Sequence, residues 1–182
     1  HAMEVRDQNG EALPDRKVGT IFVHGPSLMD GYYRHPEETR NVLDEQKWLN
    51  TGDLGYMLNG QVVVTGRAKD LIIINARNIW PQDLEWSAET HLQALRSNDV
   101  AVFAVEKDNK EHIVALIQCR ATDPEKRAAL QSEAVSLFRR LHGLDVAVTL
   151  VPPRALPQTS SGKLTRAKAR TMFLNGEFTP QQ

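Results

Sequence analysis

The spacing of apolar residues changes near residue 66 and divides the chain into two parts. In the first part, short β-branched runs alternate with turn-forming residues, and residues 21–23 are predicted to form a strand that a Gly-Pro pair ends. Pro36 and the two glutamates after it predict a helix start, because proline suits the first helical position and acidic residues suit the first turn. Residues 62–64 and 71–74 are predicted to form two strands joined by a bend at Gly66.

Helices and strands are predicted to alternate in the second part. A helix over residues 81–95 opens with proline, and one face of it carries apolar residues at three- and four-residue spacing, namely Leu84, Ala88, Leu92 and Leu95. Two strands are predicted over residues 100–105 and 112–118, joined by a turn at Asp108 and Asn109.

A capping-box pattern that begins at Thr122 predicts the next helix. Its apolar face is predicted to consist of Leu130, Ala134, Leu137, Phe138 and Leu141. Gly143 supplies a C-terminal stop, residues 146–151 are predicted to form a third strand, and residues 165–174 a final helix. The chain is therefore predicted to be an α+β protein in which helices pack on a short sheet.

The first residues of the chain do not resemble a natural start. Residues 1–3 are interpreted as an addition from cloning and are left out of the predicted fold. Residues 4–18 are polar and rich in turn formers, so they indicate either a surface hairpin or a cut from a longer protein.

Composition narrows the possible functions. The chain has 182 residues, of which 41% are hydrophobic and 25% charged, as in a soluble globular protein. With 22 Lys and Arg against 23 Asp and Glu, its net charge of −1 argues against nucleic acid as the main partner. No apolar run approaches the roughly 20 residues of a membrane span, and no secretory signal is present, so the cytoplasm is the expected location. Cys119 stands alone, which excludes an internal disulfide or a multi-cysteine metal site.

Three polar segments are candidates for chemistry, and the first is residues 157–164. The segment contains Gly162 and places Lys163 just ahead of a helix, so a mobile loop of this kind can carry an ammonium group to a site on another surface. The alternative is a solvated loop lysine. A phosphate-binding P-loop is excluded, because the upstream glycine is missing and Leu164 follows the lysine.

The other two segments are residues 51–53 and 66–74. A glycine before Asp53 at a predicted turn leaves a carboxylate that can accept hydrogen bonds from a ribose diol, or that makes an Asx-turn with its own backbone. Arg67 and Lys69 lie in a bend between two apolar strands, where charged residues are either solvated or form a ligand edge beside a hinge.

Taken in order, these motifs resemble the adenylate-forming superfamily from about Gly19 to Phe173. They read T-G-D, then G-R-x-K-D-x-I, P-x-D-x-E and finally P-x-T-x-S-G-K-x-x-R. Within that superfamily of acyl-CoA synthetases, luciferases and peptide-synthetase adenylation domains, residues 70–85 and 25–39 are most similar to fatty acyl-AMP ligases. An Asn-x-Arg-Asn-aromatic context that runs into Pro-Gln-Asp carries this finer resemblance.

The resemblance implies a domain organisation and a role for four residues. Residues 4–66 would be the β-rich end of a large N-terminal domain, and residues 67–182 a small mobile C-terminal domain. Asp53 would hold the ATP ribose hydroxyls, Arg67 would reach the ribose and phosphates, and Lys69 would be the hinge. Lys163 would contact the carboxylate and the α-phosphate during adenylation.

The implied reaction joins a fatty acid to ATP, giving acyl-AMP and pyrophosphate, and then passes the acyl group to the phosphopantetheine arm of an acyl carrier protein. Mg²⁺ would accompany ATP and be held mainly outside this chain, which lacks the family's phosphate loop and acyl pocket and is expected to be inactive alone. Basic residues near the end would meet an acidic carrier or form a solvated helix face: Arg166, Lys168 and Arg170. Two alternatives stay open, an acyl-CoA synthetase that uses free coenzyme A and a non-catalytic carrier-binding module.

One position departs from the family pattern. Ala76 stands where the family usually has a glycine beside the approaching pantetheine arm, so a Cβ there is expected to narrow that route or restrict the backbone.

Overall fold

The computed structural model describes residues 1–107 and 110–178, and the chain divides into two compact units, His1–Lys69 and Asp70–Gln182. The turn predicted at Asp108 and Asn109 lies outside the described residues.

The first unit is built on a four-stranded antiparallel sheet whose strands lie in chain order. They are β1 (Ala2–Arg6), β2 (Gly19–His24), β3 (Leu49–Leu58) and β4 (Gln61–Arg67). A short helix, α1 (Pro36–Val42), connects β2 to β3 and begins with the predicted proline. A turn of 3-10 helix over Ala68–Asp70 follows β4.

Ala2 and Met3 belong to β1, contrary to the expectation that residues 1–3 lie outside the fold. They pair with His24 and Val23 of β2. The two strands form an antiparallel pair, as expected if the N-terminal residues form a surface hairpin. Val5 of the same strand is 1% exposed and lies in the core of the unit.

The second unit opens with a hairpin and continues into a three-stranded mixed sheet. The hairpin consists of β5 (Ile72–Ile74) and β6 (Arg77–Ile79). The sheet has the order β7 (Val100–Lys107), β8 (Lys110–Gln118), β9 (Val146–Val151), with β7 antiparallel and β9 parallel to β8. Its helices are α2 (Pro81–His91), α3 (Pro124–His142) and α4 (Arg166–Leu174).

Both faces of the three-stranded sheet are covered by helices. Leu84 of α2 and Phe138 of α3 pack on the face that includes Val102, whereas Ala169 of α4 packs on the face that includes Phe103. A strand buried on both faces reads as a continuous apolar run, which explains why β7 and β8 lack polar alternation. The predicted α+β class is confirmed.

Helix α2 is shorter than the prediction of residues 81–95. It ends at His91, because Leu92 has an extended backbone with φ −95° and ψ 102°. Leu92 and Leu95 are nevertheless buried, at 1% and 8% exposure, so the apolar spacing marked core positions that continue past the helix.

Helix α3 differs from the prediction at its cap and at its last apolar position. Asp123, not Thr122, is the N-cap, and its carboxylate accepts hydrogen bonds from the backbone N–H groups of Glu125 and Lys126 at 2.8 and 3.3 Å. Leu141 is 45% exposed and lies outside the core. The predicted stop is confirmed, since Gly143 is the C-cap with φ +64°.

None of the helices in the described ranges is long and apolar enough to cross a lipid bilayer.

Candidate functional site

Asp53 and Arg67 face each other across neighbouring strands of the first unit. They are register partners on β3 and β4, and Nε of Arg67 lies 3.3 Å from Oδ1 of Asp53. The Arg67 side chain is 70% exposed and that of Asp53 is 35% exposed. An ion pair of this exposure contributes at most about 1 kcal/mol to stability, so both groups are available to a ligand.

A bulge in β3 contains Asp53. Thr20 pairs with Leu54 and Phe22 with Asn50, so three residues of β3 stand opposite one residue of β2. Gly52, inside the bulge, has φ +73°, a conformation that glycine adopts without strain. The predicted turn before Asp53 is therefore a local irregularity inside β3 and does not connect two elements.

The side chains before Asp53 make the local turn bonds. Asn50 Oδ1 accepts a hydrogen bond from the Gly52 N–H at 2.9 Å, and Thr51 Oγ1 accepts one from the Asp53 N–H at 3.1 Å. Thr51 Oγ1 also donates to the Ile21 carbonyl at 2.9 Å. Asn50 and Thr51 therefore make the side-chain to backbone bonds of the kind that were the alternative role for Asp53. The Asp53 carboxylate itself pairs with Arg67.

Lys69 lies in the 3-10 turn that follows β4, and it is the last residue of the first unit. Its side chain is exposed. The chain passes into the second unit at the next residue, Asp70.

Three motif residues of the second unit, far apart in sequence, form one ionic cluster. Arg166 donates from Nε and Nη2 to the two carboxylate oxygens of Glu85 at 2.8 and 2.6 Å, and from Nη1 to Asp70 at 2.9 Å. The three side chains are 18%, 9% and 20% exposed. Burial lowers the pKa of Arg166, but the hydrogen bonds and charges of Glu85 and Asp70 outweigh this effect, so the pKa lies above its ordinary value.

The cluster corrects the interpretation of Arg166 as a residue of a solvated or carrier-facing helix surface. Arg166 is the first residue of α4 and points into its own unit, whereas Lys168 and Arg170 are exposed. Arg170 donates from Nε to the Ala104 carbonyl at 2.8 Å. The signal in the sequence was one charged residue in each of three motifs, and only the fold showed that these charges are partners.

Lys163 lies in a loop with a definite internal geometry. The Thr159 N–H donates to the Lys163 carbonyl at 2.8 Å, and Thr159 Oγ1 accepts from the Lys163 N–H at 3.1 Å. The Gly162 N–H donates to the Thr159 carbonyl at 2.9 Å, and Gly162 has φ +79°. The Lys163 side chain is exposed, so the turn presents its ammonium group to solvent.

Ala76 occupies a strained position in the hairpin of β5 and β6. Ile74 pairs with Arg77, which leaves Asn75 and Ala76 as a two-residue turn with φ +52° and +58°. Positive φ at both central residues is typical of a type I′ turn, in which glycine is preferred at the second position. The methyl group of Ala76 therefore restricts the backbone, as expected from the sequence.

Within the two described ranges, no group of three or more His, Cys, Asp or Glu residues is placed to hold a metal ion.

Comparisons with known proteins agree with the motif resemblance. No protein-family model matches the chain. A putative acyl-CoA synthetase of Caulobacter vibrioides is 51% identical over 178 residues, which are 98% of this chain and 31% of that protein. A structure from work on fatty acyl-adenylate ligases of E. coli and L. pneumophila is 40% identical with a TM-score of 0.87, over 97% of this chain and 31% of that one.

A more distant solved structure has the same architecture. McyG A-PCP complexed with phenylalanyl-adenylate is 29% identical with a TM-score of 0.89, over 97% of this chain and 28% of that one. The chain thus spans about one third of the length of the relatives that it matches. It belongs to the adenylate-forming superfamily of acyl-CoA synthetases, fatty acyl-AMP ligases and adenylation domains, and corresponds to a C-terminal portion of those proteins.

Proposed function

We propose that the chain is part of a fatty acyl-AMP ligase that converts a fatty acid and ATP to acyl-AMP and pyrophosphate. The observation that carries this proposal is the exposed Asp53–Arg67 pair, 3.3 Å apart, at the end of β4. An ionised carboxylate can accept hydrogen bonds from both hydroxyls of a ribose. The neighbouring guanidinium can then hold the carboxylate in place and approach the phosphates.

Lys163 is the proposed catalytic residue. The reaction is an in-line attack of a carboxylate on the α-phosphate, and both reactants are anionic, so a cation placed between them lowers the barrier. An exposed ammonium on a hydrogen-bonded turn satisfies the first requirement of that role, since its charge is not already paired within the turn.

The proposed domain organisation keeps residues 4–66 as the end of the large domain and residues 67–182 as the small one. Lys69 is the proposed hinge, and the last residue of the first compact unit is a reasonable position for one. In this mechanism rotation at Lys69 brings Lys163 to the nucleotide.

The proposed acceptor of the acyl group is the phosphopantetheine arm of an acyl carrier protein. The resemblance to fatty acyl-adenylate ligases supports this choice, as does the likeness to McyG A-PCP, whose PCP is a carrier protein. Lys168 and Arg170 remain exposed and are the basic residues of α4 that an acidic carrier can contact.

The second candidate is an acyl-CoA synthetase that uses free coenzyme A. The Caulobacter relative, 51% identical, carries that description. The two candidates share the adenylation step and differ only in the thiol that accepts the acyl group.

The proposal is tested in the intact protein that contains this chain together with the remaining two thirds of the adenylate-forming fold. We expect ATP–pyrophosphate exchange that depends on added fatty acid, and a loss on the order of 10²–10³ in Lys163→Ala. Lys168→Ala is the matched control, since this exposed lysine lies five residues away on α4 and should leave the exchange unchanged. A Lys163→Ala enzyme with activity within tenfold of wild type would contradict the assigned role.

The acceptor is identified by offering coenzyme A and a phosphopantetheinylated carrier protein separately. Acyl transfer to the carrier at a rate well above transfer to coenzyme A is the expected result, and the reverse order would establish the second candidate.

A further inference from the structure

The Arg166 cluster ties the start of α4 to two distant parts of the second unit. Arg166 is separated from Glu85 by 81 positions and from Asp70 by 96. Its two parallel bonds to Glu85 fix the orientation of the guanidinium plane as well as its position, which a single bond would not do.

Lys163 lies only three residues before Arg166. Between the two, Leu164 packs against the apolar cluster under α4, and the Thr165 N–H donates to the Pro157 carbonyl at 3.0 Å. The turn that presents Lys163 is therefore directly followed by Arg166 and its ion pairs. A shift of the first turn of α4 would displace the ammonium group of Lys163.

We propose that Arg166 is a positioning residue for Lys163: its bonds to Glu85 and Asp70 hold the first turn of α4, and with it the Lys163 turn, at one place on the second unit. The proposal rests on the proposed function, in which Lys163 acts in adenylation. Arg166 itself is directed away from solvent and has no role in binding the reactants.

The same guanidinium fixes Asp70, the first residue of the second unit and the neighbour of the proposed hinge Lys69. A rotation that starts at Lys69 is thereby transmitted through Asp70 and Arg166 to the start of α4. Glu85 makes the Arg166 cluster rigid, because its Oε1 also accepts a hydrogen bond from the Val102 N–H of the three-stranded sheet at 2.9 Å.

The first test is a double-mutant cycle in the intact protein, measured as kcat of fatty-acid-dependent ATP–pyrophosphate exchange. Arg166→Lys keeps the positive charge but loses the two parallel hydrogen bonds to Glu85. We expect kcat to fall at least tenfold while KM for ATP changes less than threefold. In a Lys163→Ala background the same substitution should change kcat less than twofold, because the group that it positions is gone.

Arg139→Lys is the matched control. Arg139 also makes a two-nitrogen contact with one carboxylate, that of Asp145, but these side chains are 68% and 85% exposed. Glu85→Gln serves as a milder second variant, since its amide oxygen can still accept from Arg166, and it should lower kcat in the same direction.

The second test needs no catalysis and uses the 182-residue chain. We expect Arg166→Lys and Glu85→Gln to accelerate hydrogen exchange of the Lys163 and Gly162 amides about tenfold, and Arg139→Lys to leave them unchanged. Unchanged exchange of these amides in a folded Arg166→Lys chain, or an equal loss of kcat in both backgrounds of the cycle, would overturn the positioning role. Full activity of Lys163→Ala would instead reject the proposed function, and the exchange result would still decide whether Arg166 holds the turn.

Discussion

Arg67 and Asp53 are cross-strand partners, and their side chains form an ion pair of 3.3 Å although the arginine is 70% exposed. In the pairing of β3 with β4 the register shifts at Thr65, which has no partner on β3, and Asp53 comes opposite Arg67, the last residue of β4. A surface ion pair adds little to stability, and in the proposed function the two groups bind the nucleotide together.

Asp53→Asn should weaken the binding of ATP without a large effect on the stability of the chain. In the intact protein we expect KM for ATP to rise about tenfold or more, because a charged acceptor of hydrogen bonds becomes a neutral one. The free energy of unfolding of the chain should change by less than about 1 kcal/mol. Asp145→Asn, which removes another exposed partner of an arginine, should affect neither quantity. A large loss of stability with normal ATP kinetics would show that the pair is structural.

Gly52→Ala should strain the bulge that contains Asp53. The added Cβ meets no atom within 4 Å, so the cost arises only from φ +73° and should be about 1–2 kcal/mol of unfolding free energy. Gly10→Ala is the matched control, because Gly10 has φ +86° and equally open surroundings but lies in the loop after β1. Both variants should lose similar stability in denaturant unfolding, and only Gly52→Ala should raise KM for ATP. Equal kinetic effects of the two variants would contradict a specific role of the bulge.

Ala76→Gly should relieve strain in the turn between β5 and β6. The strain of an alanine at φ +58° is removed, but glycine has greater freedom in the unfolded chain. We therefore expect the free energy of unfolding to rise by about 0.5 kcal/mol. Asn75→Gly should give a smaller change, because asparagine tolerates positive φ better than alanine does. Thermal or denaturant unfolding measures both, and a clear destabilisation by Ala76→Gly would show that the methyl group makes contacts that outweigh the strain.

His142 should make the stability of the second unit depend on pH. Burial lowers the pKa of His142, with Asp83 opposing and Arg77 adding to the shift. The Ser87 hydroxyl donates to the Asp83 carbonyl at 2.7 Å, so the 2.9 Å contact between His142 Nε2 and Ser87 Oγ has the histidine as donor.

A histidine with a lowered pKa in the folded state binds fewer protons there than in the unfolded chain. Its stabilising contribution is therefore complete above about pH 6.5 and is lost as the pH falls from that value through the folded-state pKa. We expect the free energy of unfolding to decrease over this interval more in wild type than in His142→Gln, which keeps a donor but does not titrate. Identical pH profiles for the two proteins would exclude His142 as a source of the dependence.

Local sequence signals predicted most of the secondary structure. The strand of residues 146–151 matches β9, and proline opens α1 and α2 at the predicted positions. These predictions succeeded because strand runs, proline starts and a C-terminal glycine depend on residues only a few positions apart. The exceptions have tertiary causes: Leu141 is exposed where the core ends, and residues 2–6 and 49–58 form strands because they pair with β2.

By itself, then, the sequence determined the α+β class, the order of the elements and the superfamily motifs that contain Asp53, Arg67 and Lys163. Only the tertiary structure decided which charges are partners: Arg67 with Asp53 through the register of β3 and β4, and Arg166 with carboxylates 81 and 96 positions away. The reason is that the interaction of two charges depends on their distance and burial in space, and sequence spacing specifies neither once the chain has passed through several strands and helices.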